Sequence, residues 1–285
     1  MRILKLEQPR MSGPDVQDWQ QFLMLKGHLL EPTADGTFGP KTSAATRAYQ
    51  TAAGLSVDGA VGSQTLLRAL RDGLTLTTRT VSLGFDTNRN CQPFLNCLNA
   101  EGMAFAARYY CKSTSQKRLS KNEAKALSQA GLKIAVVYQD AQDGIEHFNG
   151  VKGKASAKKA LEQAADIGQP AGSAIYFACD FDPSADETRG PVTEFFHAVN
   201  AELAAATVSY KVGVYGSGLV CRVIRDASLA SFAWLAGATG FRETSAFRPR
   251  AHLLQILPSR SICSSPKLEI DDDIAFTADF GGFSI

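Results

Sequence analysis

The sequence predicts an α/β protein, an irregular (β/α) barrel of five βα units plus three strands, with a small all-α N-terminal domain. Strand-like and helix-like segments alternate over about 200 residues, which is typical of parallel barrels. One segment, Ala174 to Cys179, is continuously apolar, as expected of a parallel strand covered on both faces. Near the N-terminus an Asp-Gly motif occurs twice, and each copy is followed by a helical segment.

The composition excludes several classes of protein. At 45% hydrophobic and 20% charged residues, the 285-residue chain resembles an ordinary globular protein. A net charge of +2 is too small to indicate nucleic-acid binding, and no apolar run approaches the roughly 18 residues of a membrane span. The four histidines form no HExxH motif and the six cysteines no CxxC pair, so we expect no metal site and no cofactor. Disulfide pairing stays open, because spacing does not fix it.

The N-terminal segment contains an internal repeat. Asp35 to Thr42, DGTFGPKT, recurs 23 residues later as Asp58 to Thr65, DGAVGSQT. Each Asp-Gly pair marks a tight turn, and Ser12 with Asp15 predicts a capping box for the first helix. Helices are predicted at about 14–26, 41–53 and 63–71.

These features resemble the small three-helix peptidoglycan-binding domain found on many wall hydrolases. The matching residues are Val16, Trp19, Gln20, Leu23, Gly27, Asp35, Gly36, Phe38, Gly39, Thr42, Tyr49, Gln50, Gly54, Leu55, Asp58, Gly59, Val61, Gly62 and Thr65. The resemblance implies binding of wall glycan or stem peptide rather than catalysis. We expect this domain at 1–72, a polar linker at 73–80 and the barrel at 81–285.

The second part of the chain supplies the barrel. Strands are predicted at 81–86, 104–110, 132–138, 174–179, 211–215, 232–236, 252–256 and 268–276. Helices are predicted at about 93–101, 120–131, 156–167, 189–206 and 218–226. Residues 237–250 and 257–267 show no helical periodicity, so the last three strands are expected to have short or irregular connections.

Two carboxylates follow the apolar fourth strand. Asp180 and Asp182 are two residues apart, so in an extended strand their side chains would point to the same side, with Cα atoms roughly 7 Å apart. Glycoside hydrolysis needs one carboxyl that holds a proton and one that stays charged. The alternative reading is a polar turn after the strand, because Asp-Phe-Asp-Pro-Ser is also good turn chemistry.

Functional groups of such barrels lie at the C-terminal ends of the strands. Carboxylates there bind hydroxyl groups or transfer protons, and aromatic faces stack on sugar rings. The candidates are catalytic Asp182, Asp180 and Asp86, and substrate-binding Tyr110, Tyr138, Gln139, Tyr215, Trp234, Gln255, Asp271 and Asp273.

The strand motifs look like those of family 25 lysozymes, and more closely like a related glycoside-hydrolase-like barrel family. They are Gly84-Phe85-Asp86, Tyr176-x-x-x-Asp180-x-Asp182, Gly213-Val214-Tyr215, Trp234, Leu254-Gln255-Ile256 and Ile270-Asp271-x-Asp273. The resemblance implies the barrel described above and cleavage of the MurNAc–GlcNAc linkage. In family 25 lysozymes the position of Asp182 is a Glu that donates the proton.

The shorter side chain of Asp182 leaves three outcomes open. Its carboxyl would fall roughly 1–1.5 Å short of a Glu carboxyl, and misplacement on that scale costs about a hundredfold in rate. The backbone or substrate adjusts, activity is weak, or another acid such as Glu146 takes the role.

The leading interpretation is a monomeric, lysozyme-like peptidoglycan hydrolase, with a non-catalytic wall-binding protein as the alternative. Residues 1–9 show no signal-peptide core, so we expect synthesis in the cytoplasm and later release or secretion to act at the wall. Two roles fit that expectation: a phage endolysin released through a holin, or an antibacterial effector delivered by a secretion apparatus and matched by an immunity protein.

Overall fold

The computed structural model describes residues 1–30, 34–113 and 115–285. It divides into two compact units, Met1–Val81 and Ser82–Ile285. Thr77, within the predicted linker, donates from its backbone N–H and its hydroxyl to the Asp18 carboxylate of the first unit. Within the described residues, the helices are all too short or too polar to cross a membrane.

The first unit contains helices α1 (Pro14–Leu25), α2 (Pro40–Ala52) and α3 (Ser63–Arg71). Trp19, Phe22 and Tyr49 pack edge-to-face or stacked in its core. The predicted Ser12–Asp15 capping box is wrong, because Gly13 is the N-cap and has no side chain to accept a hydrogen bond. Asp15 instead pairs with Arg2 at 2.9 Å.

The first Asp-Gly turn is organised by the buried carboxamide of Gln20. Its Nε2 donates to Asp35 Oδ1 at 2.9 Å and to Thr42 Oγ1 at 3.0 Å. Its Oε1 accepts from the backbone N–H of Gly36 at 2.8 Å. One side chain therefore joins α1, the turn and the first turn of α2.

The second Asp-Gly turn repeats this arrangement around Gln50. Its Nε2 donates to Asp58 Oδ1 at 2.7 Å and to Thr65 Oγ1 at 3.1 Å, and its Oε1 accepts from the N–H of Gly59 at 2.9 Å. The sequence repeat is therefore a structural repeat, in which a buried amide fixes each turn against the helix that follows.

Gln20→Ala and Gln50→Ala should each destabilise the first unit by about 3 kcal/mol, because several buried polar groups lose their partner at once. Hydrogen exchange of first-unit amides in the full-length chain measures the loss. The matched control is Gln21→Ala, because Gln21 is exposed on the same helix as Gln20. Equal protection in the Gln20 and Gln21 variants would contradict the role of the carboxamide.

The second unit is a closed eight-stranded barrel in sequence order, β1 to β8. Its strands are β1 (Ser82–Asp86), β2 (Phe105–Tyr110), β3 (Lys133–Tyr138), β4 (Ala174–Ala178), β5 (Lys211–Gly216), β6 (Phe232–Leu235), β7 (Leu253–Ile262) and β8 (Leu268–Ala275). Strands β1 to β7 are parallel to their neighbours, whereas β8 is antiparallel to both β7 and β1.

Five helices follow the first five strands, which confirms the predicted five βα units. They are α4 (Leu95–Ala100), α5 (Lys121–Gln129), α6 (Gly150–Ile167), α8 (Thr193–Ala204) and α9 (Gly218–Asp226). A short helix α7 (Ala185–Glu187) precedes α8, and α10 (Thr244–Phe247) lies between β6 and β7. Helix α6 begins earlier than predicted, because the Asn149 side chain caps it by accepting from the Lys152 N–H.

The β7–β8 hairpin differs from the prediction. Residues 257–262 were expected to be irregular, yet β7 continues through a register shift between Ile256 and Arg260 as far as Ile262. Pairing with β8 supplies the order that the local sequence pattern does not indicate. A disulfide between Cys97 and Cys263 joins α4 to the loop of this hairpin.

Large side chains fill the barrel interior at the end where the parallel strands begin. A Cβ on Gly84 would lie 2.5 Å from the Phe105 ring, so glycine leaves the space that this ring occupies. The Tyr176 hydroxyl donates to the Phe280 carbonyl at 2.7 Å, which anchors the C-terminal segment across that end. The polar candidate residues therefore lie toward the opposite end, where the parallel strands finish.

Candidate active site at the barrel mouth

A cavity of about 230 Å³ opens at the C-terminal ends of the parallel strands. We call it the mouth cavity, and it is lined by Tyr109, Val137, Gln139, Ala178, Asp180, Tyr215, Trp234, Gln255, Leu257 and Asp271. A second cavity of about 230 Å³ adjoins it and shares Tyr109 and Asp271, with Asp86 in its lining. Together they form a cleft of carboxylates, amides and aromatic rings.

Asp86 lies at the end of β1 and is almost completely buried. The Tyr109 hydroxyl donates to its Oδ1 at 2.8 Å, and the Gln255 amide donates to its Oδ2 at 2.9 Å. Both carboxyl oxygens are therefore held in place, one by a side chain of β2 and the other by a side chain of β7. Burial, and next the charge of Asp271, raises the pKa of Asp86 from an ordinary 3.8 to about 7.

Strand β8 supplies two further acids because it runs antiparallel. Its register places Asp271 opposite Asp86 and Asp273 opposite Gly84. Asp273 is fully buried, and its Oδ1 accepts from Trp234 Nε1 at 2.9 Å. Burial, and next the charge of Asp86, raises the pKa of Asp273 well above its ordinary value. Burial also raises the pKa of Asp271, so burial favours the protonated form of all three carboxyl groups.

The raised pKa of Asp86 predicts a pH dependence of stability. Between pH 3.8 and about 7 the folded chain holds a proton that the unfolded chain has lost, so the contribution of Asp86 to the free energy of unfolding falls as pH rises. His252, whose pKa burial lowers to about 4, acts in the opposite direction below its ordinary value of 6.5.

The difference between wild type and Asp86→Asn cancels the contribution of His252. We expect chemical denaturation at fixed ionic strength to show that this difference shifts in favour of Asp86→Asn as pH rises from about 5 to about 8. Parallel pH profiles for the two proteins would contradict the raised pKa of Asp86.

Asp180 lies just beyond β4, exposed at the mouth cavity. Gln139 Nε2 donates to its Oδ2 at 2.7 Å, and the Asp180 backbone N–H donates to the Gln142 carbonyl at 2.8 Å. Lys117 Nζ in turn donates to Gln139 Oε1 at 3.1 Å and lies 4.7 Å from the centre of the Tyr109 ring. This chain of contacts orients an accessible carboxylate.

The remaining residues of the mouth cavity are joined by hydrogen bonds and by a contact between aromatic rings. The Tyr215 hydroxyl donates to Gln255 Oε1 at 2.9 Å, which leaves the amide of Gln255 to donate to Asp86 and, at 3.2 Å, to Asp271. The rings of Tyr215 and Trp234 pack edge-to-face at 4.9 Å. These side chains therefore combine hydrogen-bonding groups of fixed orientation with an apolar ring surface on which a sugar ring can pack.

The structure does not place Asp182 beside Asp180 in the mouth cavity. The Arg242 guanidinium contacts Asp182 Oδ2 at 2.8 Å, and the Arg242 backbone N–H donates to Oδ1 at 3.0 Å. The predicted shared side required an extended strand, but β4 ends at Ala178 and the backbone turns before both acids. Asp182 thus fixes the connection after β6 through these contacts with Arg242.

Two predicted substrate-binding tyrosines are also placed elsewhere. The Tyr110 side chain is buried outside the barrel, where its hydroxyl contacts Gln169 Oε1 at 2.9 Å. Tyr138 lines a separate cavity beside α6. Neither tyrosine lines the mouth cavity, because successive strand residues point to opposite faces, and the residue of β2 that lines it is Tyr109.

Sequence reasoning missed Tyr109, Lys117 and Leu257. Both faces of β2 are buried, so the sequence pattern of this strand did not distinguish Tyr109 from Tyr110. Lys117 belongs to an irregular loop, and the contribution of Leu257 depends on the register shift in β7. Local patterns did not identify either residue.

Each of the two units matches a known protein family. The family of Rv2525c-like, glycoside hydrolase-like domains matches residues 96–275, and the putative peptidoglycan binding domain matches residues 12–68. Two similar curated proteins come from Bacillus subtilis strain 168. The uncharacterized protein FadG is 25% identical over 98% of this chain, and the uncharacterized protein YbfG is 27% identical over 78%. The chain spans only 49% of FadG and 32% of YbfG.

Solved structures show the same barrel. The Tat-secreted protein Rv2525c of Mycobacterium tuberculosis, in complex with HEPES, matches with a TM-score of 0.59 and 22% identity, covering 70% of this chain and 98% of that one. Its L-tartrate complex matches with a TM-score of 0.60 and 21% identity, covering 71% and 99%. At these identities the similarity shows the fold. By the family match over residues 96–275, the chain belongs to the Rv2525c-like family of glycoside hydrolase-like domains.

Proposed function

We propose that this protein is a cell-wall glycosidase that hydrolyses the glycan strands of peptidoglycan, with a lysozyme-like reaction. The observation that carries the proposal is Asp86, whose pKa is raised by burial to about 7 and which lines a cavity adjoining the one that presents the accessible carboxylate of Asp180. Glycoside hydrolysis uses such a pair, one carboxyl protonated and one ionised at the working pH. The family match to a glycoside hydrolase-like domain supports the same class of reaction.

In this proposal Asp86 donates its proton to the glycosidic oxygen as the bond to the leaving sugar breaks. Asp180, held by Gln139, stabilises the positive charge that develops at the anomeric carbon. A water molecule then forms the new bond to this carbon, and the proton that it loses restores the protonated form of Asp86. The charge of Asp271 favours the protonated form of Asp86, and Tyr215, Trp234 and Gln255 bind the sugar. Asp182 is assigned a positioning role through Arg242 rather than the role of acid.

The first unit would hold the barrel close to its substrate. It matches a peptidoglycan-binding domain, and tethering a catalytic domain to a polymer raises its effective concentration there. The site of action would then be the cell wall. The endolysin and injected-effector roles are narrower hypotheses, and the similarity to a Tat-secreted protein favours neither of them.

Dye release from labelled sacculi tests the proposal. The full chain should release soluble glycan, and a chain that starts at residue 73 should bind sacculi much more weakly while cleaving short soluble glycans at an unchanged rate. Release that depends on the first unit but not on Asp86 or Asp180 would contradict the catalytic assignment.

A second candidate function is glycan binding without hydrolysis. The observation that favours it is the ion pair of Asp182 with Arg242, which engages the residue that corresponds to the proton donor of the lysozymes. Saturable binding of soluble glycan by the barrel, with no new reducing ends after long incubation, would support this alternative and overturn the proposed hydrolysis.

A further inference from the structure

Another cavity, of about 290 Å³, lies outside the barrel between the end of β3 and helix α6. We call it the basic pocket, and its charged and polar lining residues are Lys112, Lys152, Lys158, Lys159, His147, Asp140, Glu162, Gln142, Ser156 and Tyr138. Four lysines outnumber two carboxylates, so the pocket carries a positive charge. The mouth cavity is acidic, so the two cavities attract opposite charges.

The floor of the basic pocket is polar and fixed. Tyr138, Gln142 and Ser156 are all buried, and Gln142 Oε1 accepts from the Asp140 backbone N–H at 2.6 Å. The Tyr138 hydroxyl lies 3.4 Å from Asp140 Oδ2. The pocket therefore has ordered hydrogen-bonding groups beneath its flexible lysines.

One lysine of α6 occupies the helix end that disfavours it. Lys152 lies in the first turn, where the helix dipole repels cations, and that turn contains no acidic residue. Lys158 lies in the middle of the helix. Within the described residues, Lys152 Nζ has no ion-pair partner, and Lys158 has only a 3.9 Å contact to Glu202. The Lys152 ammonium group is therefore available to bind an anion, and that of Lys158 makes only this one long contact.

The basic pocket adjoins the mouth cavity through one short loop. Gln139 lines the mouth cavity, whereas Asp140 and Gln142 line the basic pocket. The Gln142 carbonyl accepts from the Asp180 N–H at 2.8 Å. A polymer that lies in the mouth cavity would carry its side branches past this loop.

We propose that the basic pocket binds a carboxylate of the peptide branch on the glycan strand that occupies the mouth cavity, an inference that rests on the proposed function. Peptidoglycan branches are peptides that carry free carboxylates. The pocket already holds carboxylates of the chain itself, Asp140 on Lys112 at 2.9 Å and Glu162 on Lys159 at 2.8 Å. Lys152 and Lys158 supply the charge for an additional carboxylate, and the polar floor orients it.

Calorimetric titration of the full chain with a soluble stem tetrapeptide at low salt tests this binding, and any peptide binding by the first unit contributes equally in wild type and variants. The double variant Lys152→Gln/Lys158→Gln should bind about tenfold more weakly, since each half-solvated ion pair contributes a modest free energy. The matched control is Lys154→Gln, because Lys154 lies on the same helix but does not line the pocket. A tetrapeptide with amidated carboxyl groups should lose the same affinity.

Cleavage assays separate this inference from the proposed function. Wild type should cleave peptide-bearing strands more efficiently than peptide-free strands, and the double variant should lose that preference at an unchanged rate on peptide-free strands. Absence of cleavage on both substrates would refute the hydrolase while the titration still decides the pocket. Equal peptide affinity in wild type and double variant, or binding of a glycerol-phosphate oligomer but not the peptide, would overturn the inference.

Discussion

Asp86→Asn and Asp180→Asn are each expected to lower the rate of wall cleavage about a thousandfold, because a positioned acid or charged partner contributes on that scale. Asn at position 86 cannot donate the proton that Asp86 retains near neutrality. Asn at position 180 removes the accessible negative charge while keeping a side chain of similar size beside Gln139. Dye release from sacculi measures the rate, and sacculus pull-down shows that binding by the first unit persists.

Asp182→Asn is the matched comparison, two residues from Asp180. We expect it to lower the rate by far less, because Asp182 contacts Arg242 and does not line the mouth cavity. Arg242→Gln should reproduce its effect, since it breaks the same ion pair. A folded Asp182→Asn variant as inactive as Asp180→Asn, with Asp86→Asn fully active, would return the acid role to Asp182, as the lysozyme resemblance implies.

Arg108→Met is expected to destabilise the barrel by about 3–5 kcal/mol, the cost of leaving one member of a buried ion pair without its partner. Arg108 is fully buried and its Nε donates to Glu123 Oε1 at 2.8 Å. Its guanidinium also donates to the carbonyls of Thr87 and Gln116. Because Thr87 follows Asp86 directly, the same substitution should loosen the loop that carries the proposed acid.

The matched control for Arg108 is Arg118, which makes a 3.3 Å ion pair with a largely exposed Asp166. Arg118→Met should change stability by less than about 1 kcal/mol, as exposed pairs do. The double variant Arg108→Met/Glu123→Met should recover part of the loss, because it removes both buried charges. Denaturant unfolding of the full chain measures all three, and equal losses in the two Arg variants would contradict this account.

The fold was predictable because the sequence patterns that indicate it are periodic or local. Alternating strands and helices predicted the barrel, and the paired Asp-Gly motifs predicted the repeated turns around Gln20 and Gln50. The β7–β8 hairpin was not predictable in full, because its extension depends on cross-strand pairing past a register shift. Nor was the Cys97–Cys263 disulfide, whose partners are 166 residues apart.

The candidate site was predictable where the sequence shows which face of its strand a side chain occupies. Asp86 and Gln255 carry polar groups in mainly apolar segments, which marks the face that lines the barrel interior, whereas Asp271 lies in an acidic run that offers no such contrast. In β2 both faces are buried, so FAARYY offers no alternation by which to choose Tyr109 over Tyr110. Asp182 was misplaced because its contact, Arg242, lies 60 residues further along the chain.

Hydrolysis of sacculi in heavy-oxygen water, followed by mass spectrometry of the released fragments, tests glycoside hydrolysis most directly. The account predicts disaccharide-containing fragments with one heavy oxygen at each new reducing end, and none from the Asp86→Asn or Asp180→Asn variants. Fragments cut only within the peptide, or the same labelled reducing ends from both variants, would contradict it.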